Sequence, residues 1–236
     1  MPDSTQLTEL ELEYRAELPK ILIAADRDLD AALRALDRYL RRAPPLGLKK
    51  AILAWKGRFY LEHGRYDEAV RELRAADGLE VQDDLKNFNT KVDLAKALEK
   101  AGDTQGAHSV LTAALAETSE PSLLLKLLDL LVQVSVRSRL PLPSGAEMAL
   151  SRAKQFYGLD QVLSVDLSTD TARLAGLVHD DSVRLTRLHQ SLSRAKTPGR
   201  RASLVRKYLA GATVPYFKGI AENLLRREQD AATKDK

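Results

Sequence analysis

An all-α fold is what this chain predicts, and three features carry that expectation. Aromatic residues make up only 5% of the 236 residues while Leu and Ala are abundant, a balance that favours packed helices over sheets. Apolar residues recur at three- and four-residue spacing, the period of one face of a helix. Helix-contact residues also return at a fixed distance. Gly57, Tyr60, Gly64, Ala69, Leu73 and Ala76 correspond to Ala95, Leu98, Gly102, Ala107, Leu111 and Ala114, each 38 positions further on.

The elements follow in order. Ser4 offers an N-cap for a helix reaching Ala25, with a kink or a break expected near Leu18 because Pro19 follows it. Asp28 to Ala43 predicts a strong helix with Leu29, Ala32, Leu33, Leu36, Tyr39 and Leu40 along one side, stopped by Pro44 and Pro45. Its Ala32, Leu36 and Tyr39 precede Ala69, Leu73 and Ala76 by 37 positions, a divergent copy of the same unit. Ala51 to Leu79 reads as two amphipathic helices joined at Gly64, where glycine accepts a left-handed backbone at little cost. Leu85 to Glu117 repeats the pattern with its turn at residues 101–103. Pro121 to Arg137 and Ser144 to Tyr157 form a further pair, and the run LLLKLLDLLVQV is apolar on too many sides for a surface helix.

Beyond Gly158 the repetition fades. Ser168 or Thr169 can cap a helix carrying Leu174, Leu177, Val178, Leu185, Leu188 and Leu192, with a break expected at His179-Asp180-Asp181. Thr197-Pro198 opens a helix to about Leu209 that Gly211 ends, Pro215 opens the last one to about Gln229, and Asp230 to Lys236 is expected to fray.

The repeated stretch resembles the tetratricopeptide repeat (TPR) family, a helix–turn–helix unit, through Gly57, Tyr60, Gly64-Arg65-Tyr66-Asp67-Glu68-Ala69, Leu73 and Ala76. It departs from the family at Lys56, where Leu is frequent. The resemblance implies a TPR-like helix-turn-helix solenoid with a C-terminal helical cap. Residues 1–45 would be a divergent N-terminal repeat and 46–158 the TPR-like repeats. Residues 159–229 would be a basic cap or a separate small helical domain, and 230–236 a flexible tail. Stacked repeats present a concave surface lined by the first helix of each pair. Here that implies a groove for a peptide or helix of another protein, at Trp55, Arg58, Glu62, Asn89, Asp93 and Lys96. Trp55, the only tryptophan, suits an interface anchor and equally suits burial between repeats. The mixture of Arg58, Lys96, Glu62 and Asp93 does not reproduce the Lys/Asn carboxylate clamp of chaperone-binding members.

Charge adds a second candidate surface. Of the net charge of +4, residues 182–221 carry +9, which leaves −5 for the remainder. Arg184, Arg187, Arg194, Arg200, Arg201, Arg206 and Lys207 form the bulk of that basic segment, suited to an acidic protein, nucleic acid or anionic membrane surface. The same residues also fit a solvated face of ordinary amphipathic helices.

The chemistry that remains is sparse. There are no cysteines, so disulfides, thiolate catalysis and cysteine metal sites are excluded. Four histidines give a metal or hydrolase site at His179-Asp180 little material. No phosphate loop, nucleophile elbow or paired-carboxylate signature occurs. Arg200-Arg201-Ala202-Ser203 resembles a short basophilic kinase site of a kind that arises often by chance. No catalytic residue, metal or cofactor is expected. The acidic N-terminus is unlike a signal peptide, and Pro121 to Val136 is too short and too polar to span a bilayer. A cytoplasmic interaction module or assembly scaffold is the expected function, with a removed leader left open.

Overall fold

The computed structural model of the chain describes residues 8–81, 84–160 and 166–234. Among the described residues there are eleven α-helices and no strand. They fall into two compact units, residues 1–114 with 134–140, and residues 115–133 with 141–236.

The first unit opens with α1 (Glu9–Ala25), whose capping box joins Thr8 and Glu11 in both directions. Ser4, the expected cap, lies outside the described residues. Pro19 sits inside α1, which is continuous, so of the expected kink or break, the break does not occur. The proline forfeits the bond its N–H would make to the preceding turn. Tyr14, Ile21 and Ala25 are buried on either side of it, and that burial keeps the helix in one piece. Tyr14 meets Tyr39 of α2 (Leu29–Leu40) edge to face, with ring centroids 5.3 Å apart. The Asp28 carboxylate caps α2 by accepting from Ala31 N–H at 2.9 Å. The helix stops at Leu40 rather than Ala43, and Ala43 takes a left-handed φ of 47°.

α3 (Leu46–Glu62) packs against α4 (Tyr66–Asp77) and α5 (Asp84–Lys100). It begins five residues before Ala51, the start expected from sequence, because Pro45 serves as its N-cap. Where α3 and α4 meet, a Cβ on Gly57 would overlap Cγ of the fully buried Leu73. Ala69 and Ala76 of α4, and Ala107 and Ala114 of α6 (Thr104–Glu117), are likewise buried. The 38-residue offset extends to the backbone. Gly64 and Gly102 both have left-handed φ, 74° and 91°. The next N–H in each case, Arg65 or Asp103, donates back to the carbonyl of Tyr60 or Leu98 at 2.9 and 2.8 Å. These are equivalent bonds of one helix-ending motif.

Lys56, the departure from the repeat pattern, has a local cause. Its Nζ lies 2.9 Å from Asp37 of α2 and 3.6 Å from Glu72 of α4, so one buried ammonium links three helices. Burial opposes that charge, but the hydrogen bond to Asp37 and the two carboxylates outweigh it and hold the group above its ordinary value of 10.5. A folded value raised above the unfolded one stabilises the protein below the unfolded value, and the contribution disappears as pH rises through the folded value. The stability difference between wild type and Lys56→Met, followed by urea unfolding, is therefore expected to stay constant to about pH 10 and to shrink above it. A difference independent of pH up to about 12 would contradict the assignment.

The second unit contains the first turns of α7 (Pro121–Ser138), then α8 (Ala146–Tyr157), α9 (Leu167–Arg194), α10 (Pro198–Gly211) and α11 (Pro215–Lys234). Leu124, Leu125, Leu127, Leu128, Leu131 and Val132 of α7 are all buried, over an arc far wider than one stripe. α8 ends at Gly158, whose φ is 73° and which has no room for a Cβ against Pro215. Phe156, Tyr157, Tyr216 and Phe217 interlock there, with successive ring centroids 4.8–6.1 Å apart. Lys154 and the buried Asp170 tie α8 to α9 at 2.7 Å.

α9 runs unbroken through His179-Asp180-Asp181, contrary to the expected break, and Asp166, rather than Ser168 or Thr169, supplies its cap. Asp181 reaches from α9 to another helix. Its Oδ2 accepts from Thr213 N–H at 2.7 Å, Val214 N–H at 2.6 Å and the Thr213 hydroxyl at 3.2 Å. A buried carboxylate of α9 thus satisfies the free donors at the start of α11. Thr197 caps α10 as expected. α11 continues through Asp230 to Lys234, where a frayed tail was expected.

Candidate functional site

Two helix faces meet here. On α3, residues 50–51, 54–55 and 58 succeed one another at three- and four-residue steps, so they share a face, and residues 89–90 and 93 do the same on α5. Between those faces lies a cavity of about 190 Å³ lined by Lys50, Ala51, Ala54, Trp55, Arg58, Asn89, Thr90 and Asp93.

Each wall has a distinct character. Trp55 is half-buried, and its ring meets Phe59 at a centroid distance of 5.8 Å. The Arg58 guanidinium lies 4.9 Å from the Trp55 ring centroid, a cation–π arrangement. Arg58 also donates to Asp93 Oδ2 through Nε at 2.9 Å and through a terminal nitrogen at 2.5 Å. The guanidinium is therefore clamped between an aromatic ring on its own helix and a carboxylate on the next first-position helix. Ala51 and Ala54 leave the floor shallow and apolar. Lys50, only 2% exposed, donates to Leu79 C=O at 2.9 Å and to Asn87 Oδ1 at 2.6 Å. Asn87 in turn donates to Val81 C=O at 3.0 Å, which anchors the connection that delivers α5.

Of the six groove residues expected from sequence, Trp55, Arg58, Asn89 and Asp93 line this one cavity. Glu62 stands exposed at the end of α3, and Lys96 lies half-buried one turn beyond Asp93; neither lines the cavity. Lys50 and Thr90 line it without having been singled out. Lys50 looks like any surface lysine on a helix, and nothing local marks the carbonyl at Leu79 that it seeks.

The basic segment divides. Arg184 donates to Gly211 C=O at 2.5 Å, and Arg201 pairs with Glu228 at 2.6 Å, so both are structural. Arg187, Arg194, Arg200, Arg206 and Lys207 are exposed and have no ion-pair partner among the described residues. Tyr208 and Phe217 are buried, while Tyr216 is 40% exposed. His179 and Asp180 belong to no metal-binding cluster among the described residues. No helix among those residues is long and apolar enough to cross a membrane.

No family model matches the chain, and no characterised protein or solved structure is significantly similar to it.

Proposed function

We propose that residues 46–158 are TPR-like repeats and that the α3–α5 cavity receives a segment of a partner protein, making the chain a non-enzymatic interaction module or scaffold within a larger cytoplasmic assembly. The observation that carries this is the convergence of Trp55, Arg58, Asn89 and Asp93, from two first-position helices, on one cavity. The equivalent turn bonds at Gly64 and Gly102 support the repeat assignment. Typical small-molecule pockets have volumes of about 300–1,000 Å³; this one, at about 190 Å³, has room for a single side chain. Asn89, whose amide both donates and accepts, has no partner among the described residues and can serve the backbone of an incoming segment. The rigid ring of Trp55, backed by Phe59 and covered by Arg58, supplies an apolar wall that costs little entropy to order.

Affinity capture with quantitative mass spectrometry tests this. Wild-type protein should retain a stoichiometric partner that Ala54→Leu, which fills the cavity from its own floor, loses while keeping its helical circular dichroism. Equal retention by the variant would place binding elsewhere.

A second reading rests on the exposed, unpaired Arg187, Arg194, Arg200, Arg206 and Lys207, which offer charge-driven contact with an acidic protein, nucleic acid or anionic membrane surface. Such contact would weaken steeply with salt, whereas binding in the α3–α5 cavity would not.

A further inference from the structure

One helix of the first unit carries apolar residues on two opposite sides. Tyr14, Ile21 and Ala25 of α1 are buried, Tyr14 against the ring of Tyr39. Leu12, Ala16, Pro19 and Ile23 follow one another at steps of four, three and four residues, so they form a single stripe on the other side. All four are exposed, Leu12 and Ile23 by 55% and 60%. The neighbouring α2 shows an ordinary solvent face, its exposed positions being Asp30, Arg34 and Arg38. Single exposed apolar residues need no explanation, whereas a contiguous apolar stripe marks a surface that another molecule covers.

The charges beside the stripe say what that molecule is. Glu9 lies at its N-terminal end, and Lys20 and Arg27 lie towards its C-terminal end. All three are exposed and have no ion-pair partner among the described residues. At the helical period they fall on the same flank of the stripe. That polarity is complementary to itself when reversed.

We propose that this face of α1 is a self-association surface, at which two copies of the chain pair through antiparallel α1 helices. In that arrangement Leu12 meets Ile23 of the second copy and Ala16 meets Pro19 in one register, each pairing occurring twice about the two-fold axis. The large side chains close both ends, and the short Ala16 lets the helices approach at the centre. Each Glu9 comes beside Arg27 of the other copy. Lys20 comes beside Glu13, which Arg42 of its own copy already holds at 2.8 Å, so Lys20 contributes less. A parallel pairing would set Glu9 on Glu9 and Arg27 on Arg27, which like-charge repulsion disfavours. The 17 residues of α1 span about 25 Å. One helix pair of that length sits at the low end of specific interfaces, about 1,200 Å², so the dimer is a weak one that dissociates on dilution. The surface shares no residue with the α3–α5 cavity and does not depend on what that cavity binds.

Sedimentation equilibrium of the full chain from about 1 to about 300 μM, the range in which weak association is read, tests the proposal. The wild-type protein should move from the 26.2 kDa chain mass towards twice that mass as concentration rises. Ile23→Glu, which sets a charge in the stripe at an exposed position, should stay monomeric with an unchanged circular dichroism spectrum. Glu9→Lys and Arg27→Glu should each weaken association several-fold at low salt. The double reversal should restore it, because the pair re-forms between copies with its signs exchanged. A wild-type chain that stays monomeric throughout the range would overturn the proposal. So would association of Ile23→Glu equal to wild type, which would place the contact elsewhere. A double reversal that associates no better than the single ones would overturn the antiparallel arrangement.

Discussion

Replacing Asp181 by Ala is expected to lower unfolding stability by about 3–4 kcal/mol. Its Oδ2 accepts two backbone N–H groups and one hydroxyl from Thr213 and Val214. The side chain is 1% exposed, so water cannot replace the acceptor. Bonds to a charged acceptor contribute about 1.5–3 kcal/mol each when removed singly, and a buried donor left without a partner costs about 1–3 kcal/mol. The two descriptions overlap, which is why the total falls well short of their sum. Asp181→Asn keeps one acceptor oxygen in place and should lose only about 1 kcal/mol. Urea unfolding followed by circular dichroism measures both. Equal losses in the two variants would show that shape, rather than the acceptor at Oδ2, is what the α11 terminus requires.

Gly57→Ala is the second large effect, and its sign is decided by two opposed quantities. Alanine in a helix interior is favoured over glycine by about 1 kcal/mol. The new methyl group, however, would overlap Cγ of Leu73, which is fully buried and is not the free end of a flexible chain. Overpacking of this kind costs about 1–3 kcal/mol, and overlap at a branch point lies at the upper end. A net loss of about 1–2 kcal/mol is expected. Leu73→Ala alone should cost about 2–5 kcal/mol by leaving a cavity. The double variant should be more stable than the sum of the single losses by about 1 kcal/mol or more, because each change relieves the other. Trp55, the only tryptophan and situated on the same helix, gives a fluorescence signal for the transition. Strict additivity would mean that the two residues do not touch.

What was legible in the sequence is what rests on local rules. The Gly64 and Gly102 turns could be read because only a left-handed residue allows the helix-ending bonds that Arg65 and Asp103 make. The small residues at 57, 69 and 107 could be read because close helix approach leaves no alternative to them. The option of a break at Pro19, and the break at His179-Asp180-Asp181, misled for the opposite reason. Whether a helix continues there is set by tertiary partners, the burial of the α1 flanks in one case and the α11 terminus in the other. Lys56 and Lys50 were opaque for the same cause. Their burial depends on Asp37, Glu72 and the Leu79 carbonyl, and no spacing rule reaches those. In the candidate groove, the family resemblance pointed to six residues, of which Trp55, Arg58, Asn89 and Asp93 line the cavity while Glu62 and Lys96 do not reach it. The basic segment looked uniform in sequence, and only the fold separates Arg201, held by Glu228, from its free neighbours.

That last distinction shapes the measurement that bears most directly on the central claim. Partner affinity should be compared for wild type, Trp55→Ala and an Arg200/Arg206→Glu pair across a salt series, leaving Arg201 intact because its loss would disturb α10 and α11. A desolvated aromatic anchor loses about 2 kcal/mol or more on truncation, and that loss should hold at every salt concentration. Charge reversal should matter only where screening is weak, since exposed charges act over about 8 Å at physiological ionic strength. The account predicts a salt-independent loss of at least about thirtyfold for Trp55→Ala. Wild-type affinity in Trp55→Ala at every salt concentration would contradict it.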